Sequence, residues 1–258
     1  MTNSALTYNN GTISYQVSGS GEPIVFIHGF SLDHRMWRPQ VKFFEKNHTV
    51  ITYDVRGFGQ SSLPTQTYNH SDDLYTLLKH LGITSAHIVG LSMGGRIATN
   101  FTLAYPDMVR SLTLMDSALD GYASTVNWNV HAKKVGIAAA KENWLNHDVF
   151  AETRNNPAVI AAIRPIIDDY SGWHWLHSDL EHPKNTHART RLNEITVPTL
   201  IIVGEKDLSY FHDIATVYAD GIKNSRKVIV PNVGHMVNME APDVVNELLA
   251  DFIGGDLE

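Results

Sequence analysis

The sequence predicts an α/β protein: a mostly parallel sheet of eight strands flanked by helices, with a helical segment inserted after the sixth strand. Short apolar runs alternate with stretches of helical periodicity, which is typical of parallel strands joined by crossover helices. A single gap, between Met115 and Pro198, interrupts this alternation and is far longer than a crossover requires. The pattern Gly90-Leu91-Ser92-Met93-Gly94 predicts a very tight turn from a strand into a helix.

Apolar runs bounded by turn residues define the strands. A hairpin is expected near the start of the chain, where two such runs flank Asn9-Asn10-Gly11. The run Pro23–Ile27 is apolar throughout, as expected of a central strand buried on both faces. The eight predicted strands are Leu6–Tyr8, Thr12–Val17, Pro23–Ile27, His48–Tyr53, Ala86–Val89, Ser111–Met115, Pro198–Val203 and Arg226–Val230.

Helices are predicted between the strands and inside the long gap. Pro39 must lie in the first turn of its helix, because proline disrupts a helix interior. Ser71-Asp72-Asp73 is expected to cap a helix that Gly82 ends. The predicted helices are Met36–Glu45, Ser71–Leu81, Met93–Tyr105, Asn129–Trp144, Ala158–Tyr170, Tyr210–Asp220 and Pro242–Phe252.

The composition narrows the classes of function. The 258 residues carry 20 basic and 27 acidic side chains without a basic run, so nucleic acid is not an expected partner. There is no cysteine, which excludes disulfides, thiolate metal sites and a cysteine nucleophile. The first ten residues show no secretory signal, and no apolar run could span a bilayer. We therefore expect a cytoplasmic protein without a membrane partner; the sequence leaves open whether it forms a homo-oligomer.

Five motifs together resemble the alpha/beta-hydrolase superfamily. They occur in the order that this superfamily shows, within a resemblance that extends from about Gly11 to Phe252. The motifs are His28-Gly29-Phe30, Asp54–Ser61, Gly90–Gly94, Gly204–Asp207 and Gly234-His235-Met236. We expect a hydrolase core of residues 1–116 and 190–258, and a helical cap (lid) of residues 117–189.

The resemblance implies a Ser-His-Asp catalytic triad. A serine hydroxyl is a poor nucleophile until a base takes its proton, and the base needs a carboxylate to orient it. In this fold the three residues follow the order serine, acid, histidine. This order assigns Ser92 as nucleophile, Asp207 as the orienting acid and His235 as general base and acid. Asp116 also ends a strand and is an alternative acid.

The same resemblance implies an oxyanion hole made of two backbone N–H groups. One belongs to Met93, directly after the nucleophile, and the other to Phe30 in the loop after the third strand. His28, Asp54 and Arg56 are interpreted as structural residues of the surrounding loops.

The inserted segment is rich in tryptophan and histidine. Trp128, Trp144 and Tyr122 are candidate substrate-binding residues, although packing alone is the simpler role for any one of them. Four histidines, His174, His177, His182 and His187, raise the alternative of a metal site. They form no recognisable ligand motif with a carboxylate, and serine chemistry needs no metal, so no metal and no cofactor are expected.

The leading hypothesis is a cofactor-free serine esterase or lactonase (a carboxylic ester hydrolase) acting on a small molecule through an acyl-enzyme. The run His28–Trp37 and the run Gly234–Pro242 are similar to those of small carboxylesterases, 3-oxoadipate enol-lactonases and cofactor-free perhydrolases. Relatives that open epoxides or displace halide carry aspartate where this chain has Ser92. Two alternatives stay open: a carbon–carbon bond hydrolase of the meta-cleavage product type, and a hydrolase-like small-molecule receptor with slow turnover.

Overall fold

The computed structural model describes residues 3–122, 127–182 and 187–255. Its eight strands are β1 (Ser4–Tyr8), β2 (Gly11–Ser18), β3 (Glu22–Ile27), β4 (His48–Tyr53), β5 (Ala86–Leu91), β6 (Val109–Met115), β7 (Thr199–Gly204) and β8 (Ser225–Val230). They form one sheet in the order β1-β2-β4-β3-β5-β6-β7-β8. β2 pairs antiparallel with β1 and β4, and all other neighbours pair parallel. The predicted mostly parallel eight-stranded sheet is confirmed.

The first two strands form the predicted hairpin. Asn9 and Asn10 both have positive φ angles, 51° and 54°, and Tyr8 pairs with Gly11 across the turn. Positive φ at both central residues defines the turn type whose twist matches that of paired strands, and asparagine tolerates this conformation better than most side chains.

Helices connect the parallel strands, and two more follow the last strand. Outside the inserted segment they are α1 (Arg38–Phe44), α2 (His70–His80), α3 (Met93–Ala104), α9 (Ser209–Gly221), α10 (Val237–Glu240) and α11 (Pro242–Gly254). Between β6 and β7 the described residues form α4 (Trp128–Val135), α5 (Ile137–Leu145), α6 (Ala151–Arg154), α7 (Pro157–Asp169) and α8 (Trp173–Leu176). We call residues 117–189 the helical insertion.

The strand order explains how helices come to cover both faces. The connection from β3 to β4 runs in one direction along the sheet, whereas the connections from β4 to β5 and from β5 to β6 run in the other. Because parallel crossovers are right-handed, this reversal places α1 on one face and α2 with α3 on the opposite face. The packing agrees with this arrangement, since α1 contacts α11 and α2 contacts α3.

Two predicted helix boundaries are wrong. The α2 helix is capped by Asn69, not Ser71: the Asn69 side-chain oxygen accepts the backbone N–H groups of Ser71 and Asp72 at 2.8 and 3.1 Å. The predicted helix Asn129–Trp144 is two helices, because Gly136 adopts φ +83° and ends α4 before α5 begins.

No helix within the described ranges is both long enough and apolar enough to cross a membrane.

Candidate active site

Ser92 forms the turn between β5 and α3 in a strained backbone conformation. Its φ is +55° and its ψ is −116°, a combination that residues with a side chain rarely adopt. A Cβ on Gly90 would lie 2.2 Å from the Gly94 carbonyl oxygen, and a Cβ on Gly94 would lie 2.1 Å from the Ile27 carbonyl oxygen. The turn therefore requires glycine two residues before and two residues after Ser92.

Hydrogen bonds connect Ser92 to the ends of the neighbouring strands. The Ser92 N–H donates to the Met115 carbonyl (2.9 Å), and the Asp116 N–H donates to the Ile202 carbonyl (2.9 Å). The Gly204 N–H donates in turn to a carboxyl oxygen of Asp116 (2.8 Å). β5, β6 and β7 thus end together at the sheet edge where ligands bind in open α/β folds.

His235 and Asp207 are hydrogen-bonded to each other at this same edge. The His235 Nδ1–H donates to one Asp207 oxygen (2.8 Å), and the Leu208 N–H donates to the other (2.7 Å). The two side chains are only 6% and 1% exposed. Because Nδ1 carries the proton in the neutral ring, Nε2 is free to accept one.

The Ser92 hydroxyl has no hydrogen bond to His235 or to any other of the described residues. Catalytic hydrogen bonds are often long or poorly aligned in a ligand-free protein and tighten when substrate is bound. Proton transfer from Ser92 to His235 is therefore a proposal, supported by the shared sheet edge.

Asp116 lies beside this pair without taking the place of Asp207. Side-chain oxygens of both aspartates and a ring nitrogen of His235 lie within 4.8 Å of one another. One Asp116 oxygen accepts from Gly204, and within the described part of the chain the other has no hydrogen-bond partner. Burial, reinforced by the negative charge of Asp207, raises the pKa of Asp116 well above its usual range. The geometry thus supports Asp207 as the carboxylate that orients the imidazole.

The backbone N–H groups of Phe30 and Met93 are the candidate oxyanion donors. Neither has a hydrogen-bond acceptor among the residues that the structure describes. Met93 is the first residue of α3, where a helix leaves its N–H groups unpaired. Phe30 follows β3, which pairs with β5 in the sheet. Two unpaired donors on adjacent strand ends are suited to binding a developing negative charge.

His28 and Arg56 hold the loops around these donors. His28 donates from Nδ1 to the Gly29 carbonyl (2.8 Å) and accepts the Val55 N–H at Nε2 (2.9 Å). Burial lowers its pKa, which keeps the ring neutral as this pattern requires. Arg56 forms two 2.8 Å hydrogen bonds to the buried Asp73. These contacts support the structural roles expected for both residues.

Two groups of potential metal ligands occur in the described ranges. One is Asp116 with Asp207 and His235; the other is Asp33 with His34 and Asp54. Neither group includes a histidine of the helical insertion. In the second group Asp54 accepts the His34 ring Nδ1–H (2.7 Å) and two backbone N–H groups. Both of its oxygens are therefore already hydrogen-bonded within the loop.

The helical insertion contacts the loops on both sides of Ser92. The Trp144 indole Nε1–H of α5 donates to the Ser31 hydroxyl beside Phe30 (2.7 Å). The Thr153 hydroxyl donates to one oxygen of Glu240 (2.6 Å), and the other oxygen accepts the Gly234 N–H (2.6 Å) next to His235.

The C-terminal part of the insertion is attached to α3 and to the loop before α2. Arg96, on α3, bonds Glu181 of this part at 2.8 Å and also Asp120, near the start of the insertion, at 3.4 Å. The Tyr68 hydroxyl donates to Asp179 (2.8 Å), and Tyr68 also pairs with Glu181 as an isolated β-bridge. These contacts attach the insertion to elements that lie next to the candidate catalytic residues.

The three aromatic residues named as candidate substrate contacts lie in different surroundings. The half-buried Trp128 packs edge-to-face on Trp144, with ring centroids 4.9 Å apart. Tyr122 packs on Tyr210 (5.8 Å) and under the Arg189 guanidinium (4.8 Å). Contact of all three with substrate stays a prediction.

Ser31 is the residue of this site that sequence reasoning missed. It stands in the run Phe30-Ser31-Leu32-Asp33, where nothing local distinguishes it from a surface serine. In the structure it is fully buried and has a φ of +63°. A positive φ on a serine is a property of the folded backbone, so no sequence signal could have identified it.

Comparisons with known proteins point to one family. The profile of the alpha/beta hydrolase fold matches residues 22–181. The chain is 32% identical to a putative non-heme chloroperoxidase of Synechocystis sp., over 95% of this chain and 96% of that protein. It is 28% identical to 3-oxoadipate enol-lactonase 1 of Acinetobacter baylyi, over 94% and 93%. A malate-bound thermophilic esterase from Thermogutta terrifontis superimposes with a TM-score of 0.85 at 26% identity, over 99% of each chain.

Proposed function

Because this chain belongs to the alpha/beta hydrolase family, we propose that it is a serine hydrolase that cleaves small carboxylic esters or lactones through an acyl-enzyme. The observation that carries the proposal is the shared sheet edge at which Ser92, in its strained turn, and the hydrogen-bonded pair of His235 and Asp207 come together. The named esterase and enol-lactonase relatives support the same substrate class.

In the first half of the proposed reaction, the Ser92 oxygen attacks the carbonyl carbon while His235 Nε2 takes the hydroxyl proton. The carbonyl oxygen becomes an oxyanion that accepts the Phe30 and Met93 N–H groups, and Asp207 stabilises the charged imidazole. His235 then gives its proton to the leaving alcohol oxygen as the carbon–oxygen bond breaks, which leaves an ester on Ser92.

In the second half, water attacks the ester carbon while His235 takes a proton from the water. The tetrahedral intermediate collapses, and the proton returns from His235 to the Ser92 oxygen as the carboxylic acid leaves. No cofactor enters this sequence of steps. We also propose that the helical insertion, residues 117–189, acts as a cap over a core of residues 1–116 and 190–258. Such a cap limits the size of the substrate.

The test combines turnover with covalent labelling. We expect wild-type protein to hydrolyse p-nitrophenyl acetate and to gain the mass of one fluorophosphonate adduct. The Ser92→Ala variant should lose both, whereas a Ser209→Ala variant, changed at the first residue of α9, should keep both. Undiminished turnover or labelling of Ser92→Ala would refute the assignment.

Turnover of a panel of p-nitrophenyl esters, together with the melting temperature, distinguishes ester cleavage from the two alternative functions. Rapid turnover of short p-nitrophenyl esters supports the esterase. One slow turnover with a large rise in melting temperature indicates a receptor, and turnover confined to meta-cleavage products indicates a carbon–carbon bond hydrolase.

A further inference from the structure

We propose that Trp144 is a positioning residue: through its hydrogen bond to Ser31 it holds the loop of residues 28–33 so that the Phe30 N–H points at the oxyanion. This inference rests on the proposed serine-hydrolase function. It gives one tryptophan of the helical insertion a role in the rate of acyl transfer in addition to its packing.

The backbone at Ser31 needs an external restraint. Ser31 has a φ of +63°, which is unfavourable for a residue with a side chain. The only bond that closes this turn within the described loop is a long one, from the Leu32 N–H to the Gly29 carbonyl (3.3 Å). A strained turn with one weak internal bond persists when its surroundings hold it, and the residue before Ser31 carries the candidate donor.

The Trp144 indole supplies that restraint from the helical insertion. Its Nε1–H lies 2.7 Å from the Ser31 hydroxyl oxygen, although the two residues are 113 positions apart in the chain. The Ser31 side chain is fully buried and the Trp144 ring is partly buried, which limits competition from water for this bond. Removing the indole N–H would leave the buried Ser31 hydroxyl oxygen without this donor.

The indole ring is itself fixed by its neighbours. Trp128 packs on it edge-to-face at 4.9 Å, Phe150 does so at 5.4 Å, and the His147 ring stacks on it at 5.5 Å. The Phe30 ring lies 6.1 Å away in an edge-to-face arrangement. A donor held on four sides has little freedom to turn away from Ser31, which is what a positioning residue requires.

Trp175 provides a matched control within the same aromatic cluster. Its ring centroid is 6.0 Å from Phe30 and 6.2 Å from Trp144, and it is almost fully buried. Its indole Nε1 has no hydrogen-bond partner in the described part of the chain. Trp175→Phe therefore removes the same atoms from the same cluster without removing a hydrogen bond.

The experiment measures kcat and KM for p-nitrophenyl acetate in Trp144→Phe, Ser31→Ala, the double variant and Trp175→Phe. Loss of a direct oxyanion donor costs roughly 100- to 1000-fold in kcat, so misdirecting one should cost less, about tenfold. We expect this fall in both single variants with KM within about twofold of wild type. Because the two changes break one bond, the double variant should be no slower than either single variant.

Three outcomes separate this inference from the proposed function. If Trp144→Phe loses no more kcat than Trp175→Phe, or if the two single effects multiply in the double variant, the positioning role is wrong. If Ser92→Ala stays active, the proposed function itself fails. If Trp144→Phe does not fold, Ser31→Ala decides alone: unchanged kcat overturns the inference, and a tenfold fall at constant KM supports it.

Discussion

Two carboxyl groups, Asp207 and Asp116, lie beside the His235 ring, and their hydrogen bonds assign them different roles. Asp207 accepts from the ring and from the Leu208 N–H, which uses both of its oxygens. Asp116 accepts from Gly204 and has a raised pKa owing to burial and to the charge of Asp207. Asp207 is therefore the candidate for stabilising an imidazolium ion, whereas Asp116 favours its neutral, protonated form.

We expect Asp207→Asn to reduce kcat about ten-thousandfold, because an amide in that place favours the wrong tautomer of the imidazole. Asp116→Asn should change kcat less than about fivefold, since an amide resembles the neutral acid and keeps an oxygen for the Gly204 N–H. Steady-state hydrolysis of p-nitrophenyl acetate measures both. A larger loss in Asp116→Asn than in Asp207→Asn would identify Asp116 as the orienting acid instead.

A second histidine–aspartate contact, between His34 and Asp54, couples stability to pH. Burial opposes the charge on His34, but the hydrogen bond and the charge of Asp54 outweigh it and raise the pKa of His34. Asp33 adds to this effect and the Arg35 guanidinium opposes it. A raised folded pKa means that the protonated ring stabilises the fold below its unfolded pKa of about 6.5.

This stabilisation should be lost as pH rises through the folded pKa of His34. We expect the free energy of unfolding of wild type, relative to His34→Gln, to fall as pH increases from about 6.5 upward. Urea denaturation between pH 5.5 and 8.5 measures this difference, with the exposed His80→Gln as control. A difference that stays constant with pH, or one that His80→Gln reproduces, would contradict the coupling.

At the scale of elements, the turn of residues 54–61 is attached to α2 by one buried ion pair. Arg56 and Asp73 have side chains that are 3% and 2% exposed, and they share two hydrogen bonds. This turn also bonds His28, because the Val55 N–H donates to its ring. The ion pair therefore supports, through His28, the loop that carries Phe30.

Arg56→Met should destabilise the fold by about 3–5 kcal/mol, because it leaves the Asp73 carboxylate buried without its cation. Arg164→Met, which breaks an ion pair to Glu142 whose side chains are 46% and 53% exposed, should cost less than about 1 kcal/mol. Urea unfolding curves give both values. Equal losses in the two variants would show that burial does not set the strength of the pair.

At the scale of the whole molecule, the helical insertion is attached to several elements around the sheet edge that carries the candidate catalytic residues. The insertion contacts the loop after β3 through Trp144, α10 through Thr153, and α3 through Glu181. Ser31, which Trp144 contacts, follows Phe30, and Glu240, which Thr153 contacts, bonds the Gly234 N–H next to His235. Access of substrate is therefore expected to depend on the stability of these contacts.

Glu181→Gln should weaken the attachment of residues 179–182, since the neutral amide loses the ion pair with Arg96 and one of the two oxygens that accept its N–H groups. Hydrogen bonds to charged groups contribute about 1.5–3 kcal/mol, so amide exchange in this segment should rise at least about tenfold. Hydrogen exchange measured by mass spectrometry tests this, with β5 as the internal reference and Glu194→Gln as an exposed control. Unchanged protection of residues 179–182, or equal acceleration in β5, would contradict it.

Local patterns were sufficient to predict the alternation of strands and helices and the turn at Ser92. Apolar periodicity depends on which face of a single strand or helix is buried. The glycines were recognised from their spacing around Ser92, although the atom that requires Gly94 is the distant Ile27 carbonyl oxygen. The order of the motifs along the chain, and its resemblance to a known family, supplied the candidate triad as well. The boundaries that failed, at Asn69 and Gly136, depended on which of several acceptable residues adopts the capping or the positive-φ conformation.

Contacts between distant parts of the chain could not be predicted in this way. Nothing near Ser31 in the sequence indicates that it bonds to a tryptophan 113 residues away. Periodicity assigns each element a buried face but does not identify the side chain that packs against it. Which distant side chains meet is decided when the helical insertion packs on the sheet edge, and this packing depends on the shapes of both surfaces.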